Sequence, residues 1–464
     1  MPFRLKPCLL YILLSLFTFP LLFTSIATGA EQESDENTVN EVVTTVFELS
    51  FELESLGHLS DLTGIELPPT GPVSLHADLN VTNQGYTVSN IRFIAGKSDI
   101  SGDITVTYSS ERPALTARLE SNLIDLTEFY VNEREKQEEE NNKIETGDVE
   151  KVFSTRPLPF DFIRNYDMDI TYSAKTILSH HIELDNFRFG AIQSNGNLDI
   201  HTLNADVANG QLVASGSINA ANAPPLVSVK MDITRLEPGL LPDIKALNAI
   251  DGLPTDLTFI ASGTGNNIAD IMGSLNGSFL SQSGKGMNYI KQLNQLGINF
   301  LTEALNILNP LRKKKDENKI NCIVFKFDMR DGEAVSDRGI GGQTQDLNVI
   351  GGGAIDFKKE QFDFLLHPEA RSGITIGTIN LVDAVRISGR FSDPVVNAET
   401  QAALLKRAGT VGAVLFTGGL SYLAQKLFEK TQFKDDPCGE ALGGTAPATN
   451  SDENNIKPEG ATTQ

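Results

Sequence analysis

The chain has 464 residues, 38 basic against 60 acidic side chains and a formal net charge of -22. That balance repels a phosphate backbone over most of the surface and excludes nucleic acid as a partner. Its 39 glycines, 20 prolines and lack of tryptophan describe a turn-rich body rather than a collagen, a disordered chain or a polytopic membrane protein, and the length suits two or three domains or a single elongated β structure.

At the N-terminus, Arg4 and Lys6 precede the apolar run CLLYILLSLFTFPLLFTSIA, and ATGA supplies small residues before acidic EQESDEN. Residues 1–30 therefore read as an export segment. It is either cleaved as a signal peptide or kept as an anchor, since roughly 20 apolar residues also suffice to span a bilayer.

Past the leader, period-two alternation dominates an N-terminal β region, 31–131, and a larger C-terminal one, 152–442. VSLHADLNV sends Val73, Leu75 and Leu79 to one face, SDISGDITVTY does so with Ile104, Val106 and Tyr108, and PALTARLE with Leu115 and Leu119. LVSVKMDIT repeats the pattern through Val227, Val229, Met231 and Ile233, and CIVFKFDMR through Phe325 and Phe327. Short Gly, Asn and Pro connections predict an antiparallel meander. Glycine also recurs inside strands, in DISGDI, LVASGSI, VIGGGAI and VRISGRF, where bulges or bends that curl the sheet are expected. The predicted fold is mainly β, an elongated, curled antiparallel sheet forming an open groove.

Three segments depart from alternation. Residues 132–151 are charged and nearly free of apolar side chains, as in a disordered insertion. Amphipathic spacing predicts a helix near 286–309, and a glycine-interrupted apolar stretch predicts another near 398–430, read as an end cap, an interfacial helix or a span. Residues 443–464 read as a disordered tail. In an exported chain Cys322 and Cys438 either form a disulfide or remain two thiols; no other ligand-type residues accompany them.

Enzyme signatures are missing: no G-x-S-x-G, P-loop, G-x-G-x-x-G, H-E-x-x-H or paired-cysteine zinc pattern occurs. His180 and His181 alternate to opposite faces of a strand and suit a surface better than a metal. Asp167 and Asp169 share one strand face and are the sole hint of carbohydrate acid–base chemistry, more simply read as a solvated back. The expectation is a protein that is not an enzyme and needs no cofactor. If the sheet curls without closing, its medium-sized apolar positions line a channel that fits an acyl chain. Val73, Leu75, Leu79, Ile104, Val106, Tyr108, Leu115, Leu119, Val227, Val229, Met231, Ile233, Phe325 and Phe327 are the candidate lining.

Taken in order, PPTGPVSL, GKSDISGD and RPALTARLESNLIDL, the repeat IELDNFRFGAIQSNGNLDIHTLNADVANGQLVASGSINA, and the C-terminal CIVFKFDMRDGEA, LNVIGGGAIDFKKEQFDFLLHP, VRISGRFSDPVV and PCGEAL resemble the AsmA family of Gram-negative envelope proteins. The resemblance covers roughly residues 45–442. It implies a periplasm-facing β structure, soluble or held at the inner membrane, whose partners are phospholipid and outer-membrane assembly clients. The alternative it leaves is a scaffold or regulator of outer-membrane protein assembly. It supplies no catalytic residues.

Overall fold

The computed structural model describes residues 45–60, 67–108, 112–129, 151–289, 303, 317–371, 383–399 and 436–443. They form a single long open, unclosed mixed sheet of 20 strands with a few short helices. The leader, most of the charged insertion, the tail past Gly443 and most of both expected helices lie outside the described residues. Where the helix near 286–309 is expected to begin, the chain instead forms a strand, and residues 398 and 399 also end a strand.

Strands β1 (Thr45–Leu53), β2 (Val73–Thr82), β3 (Gly85–Ala95), β4 (Ser98–Thr107) and β5 (Ala114–Asp125) are antiparallel neighbours in chain order. β6 (Asp167–Leu178) then lies parallel to β5, correcting the uniform meander. A parallel pair needs a crossover of a dozen or more residues, and the segment between these strands supplies it.

β7 (Glu183–Ser194), β8 (Asn197–Val207), β9 (Gly210–Asn219) and β10 (Leu226–Leu236) resume the antiparallel order, and β10 passes directly to β12 (Thr255–Thr264). Then follow β13 (Asn276–Ser283), β15 (Glu317–Arg330), β16 (Glu333–Thr344), β17 (Leu347–Asp356), β18 (Gln361–Ala370), β19 (Ala384–Arg390) and β20 (Asp393–Glu399). The short β11 (Ile250–Gly252) and β14 (Gly286–Tyr289) pair with each other, and β14 pairs with the start of β15.

The in-strand glycines do mark bends, but the extra residue falls on the strand beside them. Gly102 lies opposite Ile91, next to a register shift whose inserted residue Asn90 has φ of 54°. Gly102 itself has φ of 133°, and a Cβ there would come within 2.0 Å of the Arg118 carbonyl oxygen. Gly216 likewise faces the shift between Ile200 and Leu203, and Gly351 to Gly353 face the one between Ser336 and Ile340. Gly389 stands in regular register.

Along one long edge, residues 151–166 run as a strap across the strand ends. Val152 and Phe153 donate backbone N–H groups to Glu360, and the Phe153 ring sits 5.8 Å from that of Phe391. Ala269 donates to the Ser154 carbonyl and Leu158 to that of Asn266. The strap ends in helix α1 (Phe160–Asn165), whose Phe160 and Ile163 bury against Ala220, Leu198, Ile218, Val227 and Ile271. Ile271 belongs to helix α3 (Ile268–Gly273), the preceding helix α2 (Pro242–Leu247) lying between β10 and β11.

Cys322 and Cys438 form a disulfide that fixes helix α4 (Pro437–Ala441) on the back of β15 and β16. Val324, Cys438 and Ala441 bury together, and Arg338 donates to Glu440 at 3.0 Å beside them. α4 lies so close to the sheet that a Cβ at Gly341 would meet the Pro437 carbonyl at 2.6 Å.

Candidate functional site

The site is the front face of the sheet, built by cross-strand register rather than by any single motif. Directly opposed residues on neighbouring strands project to the same side. Following the partners from strand to strand gives rows that run across the sheet.

One row begins Phe47, Leu79, Val88, Ile104, Ala117 and Ile170 on β1 to β6. It continues through Ala191, Ile200, Gly216, Val229, Ala261 and Gly277, and then Met329, Ala334, Ile355, Phe362 and Gly389 on β15 to β19. Two residues further along the strands, Leu119, Tyr172, Phe189, Leu203 and Ala214 lead to Met231, Phe259, Phe279 and Phe327. A third row carries Leu212, Ile233, Leu257, Ser281, Phe325 and Ile340. On the strap side a fourth holds Val81, Tyr86, Val106, Leu115, Met168, Gln193, Leu198, Ile218 and Val227.

None of these positions carries a formal charge, although the chain as a whole carries -22. Tyr86 and Tyr172 keep that neutrality. Burial pushes the Tyr86 phenol up to about 12, with help from Tyr108, and burial raises that of Tyr172, which is 3.0 Å from Ser121 Oγ. The back face differs: Ser101, Glu120, Ser173, Arg188, Asn204, Val213, Asp232 and Thr258 succeed one another in register.

In the middle of the sheet Leu119, Phe189, Met231 and Phe259 are half-buried, as expected of a face that no second sheet covers among the described residues. α1 and α3 wall its strap side. There Gln193, an amide in an otherwise apolar row, is fully buried and donates that amide to the carbonyls of Ile163, at 3.0 Å, and Tyr166 at the end of α1. Nothing in the sequence around Gln193 marks that role, since the helix it caps comes from a remote segment.

The candidate lining is thus brought together on one face, with three corrections, the first being Phe327, which is buried in a core cluster with Met329, Ala334 and Ile340. Val73 is 1% exposed, sealed with Leu56, Leu67 and Ala95 under the 3-10 turn Leu56–Leu59, so it belongs to a closed core at the sheet's end. Tyr108 stands just past the end of β4 and is 54% exposed. Leu75 lies between, packed beside Ala77 and Ile91.

The two carboxylates of the acid–base reading, Asp167 and Asp169, lie on the back of the sheet. Asp169 is held by Arg118 at 2.8 and 3.0 Å, and the bonds from that guanidinium keep its carboxyl below the usual range. Asp167 accepts from the Asn195 N–H at 3.2 Å. His180 and His181 are exposed in a turn, His181 Nδ1 lying 2.6 Å from Asp243. Among the described residues no cluster suits a metal, and no helix is long and apolar enough to cross a membrane.

A single open sheet with an uncharged, half-buried front and a polar back defines an elongated β-trough protein. The chain belongs to the AsmA family, whose sequence signature matches residues 30–337. It is similar to the AsmA family protein YhjG of Escherichia coli (strain K12), with 25% identity over 388 residues covering 80% of this chain and 55% of that protein. The chain therefore spans about half the length of this relative. No solved structure matches it. Proteins of this family are associated with the Gram-negative envelope.

Proposed function

We propose that the trough holds the acyl chains of phospholipid and that the protein acts in lipid transport and outer-membrane assembly from the periplasm, free or tethered to the inner membrane by its N-terminal segment. One observation carries this reading: the apolar rows continue from strand to strand without a charge. Each acyl methylene taken out of water is worth about 0.8 kcal/mol, so such a face retains tails while head groups stay at the wet rim. Repetition of similar positions makes a nearly flat path along which a chain slides, where one deep pocket would trap it. The role is that of a carrier, with no catalytic step.

Mass spectrometry of organic extracts from purified protein tests the proposal. Wild type should carry phospholipid, Val229→Asp and Ile104→Asp should lose it, and Ser228→Asp, on the back, should keep it. Lipid-free wild type, or folded Val229→Asp loaded normally, would overturn it. A second reading, a scaffold for outer-membrane proteins, is supported by β1, which pairs only with β2 among the described residues and so offers an edge for strand addition. A lipid-free complex with an outer-membrane protein would favour it.

A further inference from the structure

The trough is not uniform across its width. On the strap side its front is walled, because Phe160 and Ile163 of α1 bury against Leu198, Ile218 and Val227 of the fourth row. α3 rests on bare backbone beside them: a Cβ at Gly263, the partner of Val227, would meet the Ile271 carbonyl oxygen at 2.4 Å. The opposite ends of the strands carry hydroxyls on the same face. Ser121 and Tyr172 meet at 3.0 Å and Thr176 donates to Asp185 at 2.8 Å. Further along, Thr255 and Ser283 meet at 2.9 Å, and Ser281 stands next to them opposite Leu257. α2, on that side, buries none of its own residues.

Length fixes what this asymmetry can do. β9, with 10 residues, spans about 33 Å. One leaflet's share of a bilayer's hydrocarbon core is about 15 Å. An acyl chain lying along the strands therefore covers about half of the width and leaves the rest to glycerol and head group. Laid over the far half, it would strip those hydroxyls of water, whereas the side chains of Leu198, Ile218 and Val227 have no polar atom to lose.

We infer that phospholipid lies across the trough in one orientation, with its acyl chains toward the strap side and its head group at the rim formed by the far ends of β5, β6, β12 and β13. The inference rests on the lipid carriage proposed above and adds to it a single head-group rim, so that successive lipids face the same way.

The chain has no tryptophan, so one introduced at a chosen site reports alone. Leu115 and Leu123 share the front face of β5 and stand about 26 Å apart along it. Full-length protein carrying Leu115→Trp or Leu123→Trp is loaded with phosphatidylcholine bearing either bromines near the chain end or a nitroxide on the head group, and then separated from free lipid. The brominated lipid should quench most of the emission of the Leu115→Trp protein and little of that of the Leu123→Trp protein, and the nitroxide lipid should do the reverse. Val229→Trp and Ile233→Trp on β10, about 13 Å apart, repeat the comparison if a β5 variant does not fold. Head-group quenching that is equal at the two ends of a strand, or stronger on the strap side, would overturn the orientation and leave lipid carriage standing. Wild type that takes up neither lipid would overturn both.

Discussion

The middle of the sheet and its C-terminal end use the same alternation and reach opposite outcomes. Across β5 to β12, Leu119, Phe189, Met231 and Phe259 stay half-buried. From β15 onward the face shuts on itself: the Phe327 ring lies 5.9 Å from that of Phe364, although β15 and β18 are three strand spacings apart, roughly 14 Å in a flat sheet. The intervening front positions are Ser336 and Gly353, too small to hold the rings apart, and a Cβ on Gly353 would lie 2.6 Å from the Phe364 ring. Val385 and Ile387 complete the closed cluster. Hydrophobic alternation thus produces either a trough or a core, and the size of residues at a few front positions decides which. We read the C-terminal end as the structural stop of the trough.

The largest effect that separates the two regions should come from removing the disulfide. It closes a loop of 116 residues, worth about 4 to 5 kcal/mol in the chain-entropy account. Cys322→Ser combined with Cys438→Ser should accelerate amide exchange in β15 to β17 and leave β5 to β10 unchanged; uniform acceleration would mean that the sheet unfolds as one unit.

Next is a matched pair of truncations. Phe327→Ala, in the closed cluster, should cost about 3 to 5 kcal/mol and little bound lipid. Phe189→Ala, half-buried in the trough, should cost less stability and more lipid. Equal lipid loss from both would erase the distinction between trough and core.

Alternation in LVSVKMDIT suffices to put Val227, Val229, Met231 and Ile233 on one side of a strand, and that part of the site is legible in the sequence. Which residue of the next strand stands beside Val229 is not, because register depends on bulges such as those at Asn90 and Asn186, whose side chains bond to Asp78 and Asp206 across the back. Val73 reads as lining because its strand alternates perfectly; the turn residues that seal it, Leu56 among them, follow no strand period. The charged insertion reads as spacer, and nothing in its composition shows that the crossover it lies in makes β6 parallel to β5. The closed end is foreshadowed by VIGGGAI, but only as a bend, since the rings that meet over Gly353 are supplied by strands on either side.

Acid should also discriminate between the regions. Burial, followed by the Arg338 charge, lowers the pKa of His367 on β18 from its ordinary 6.5, against an opposing influence from Asp383. The folded protein therefore refuses a proton that the unfolded chain accepts, and stability is lost as pH falls through about 6.5. Exchange in β18 should quicken below that pH more than exchange in β10, and His367→Gln should flatten the dependence. A β18 profile unchanged by His367→Gln would assign the acid response to other groups.

The smallest effect should come from the back of the middle region. Arg118 and Asp169 are each nearly half exposed, so their pairing is screened by solvent and is worth under about 1 kcal/mol despite its short bonds. Asp169→Asn removes the charge while retaining an acceptor for Arg118, and neither stability nor lipid content should change measurably. Because Asp169 lies on the opposite face from the rows that include Met168 and Ile170, a loss of lipid here would show that the back takes part in binding and that the division into an apolar front and an inert polar back is wrong.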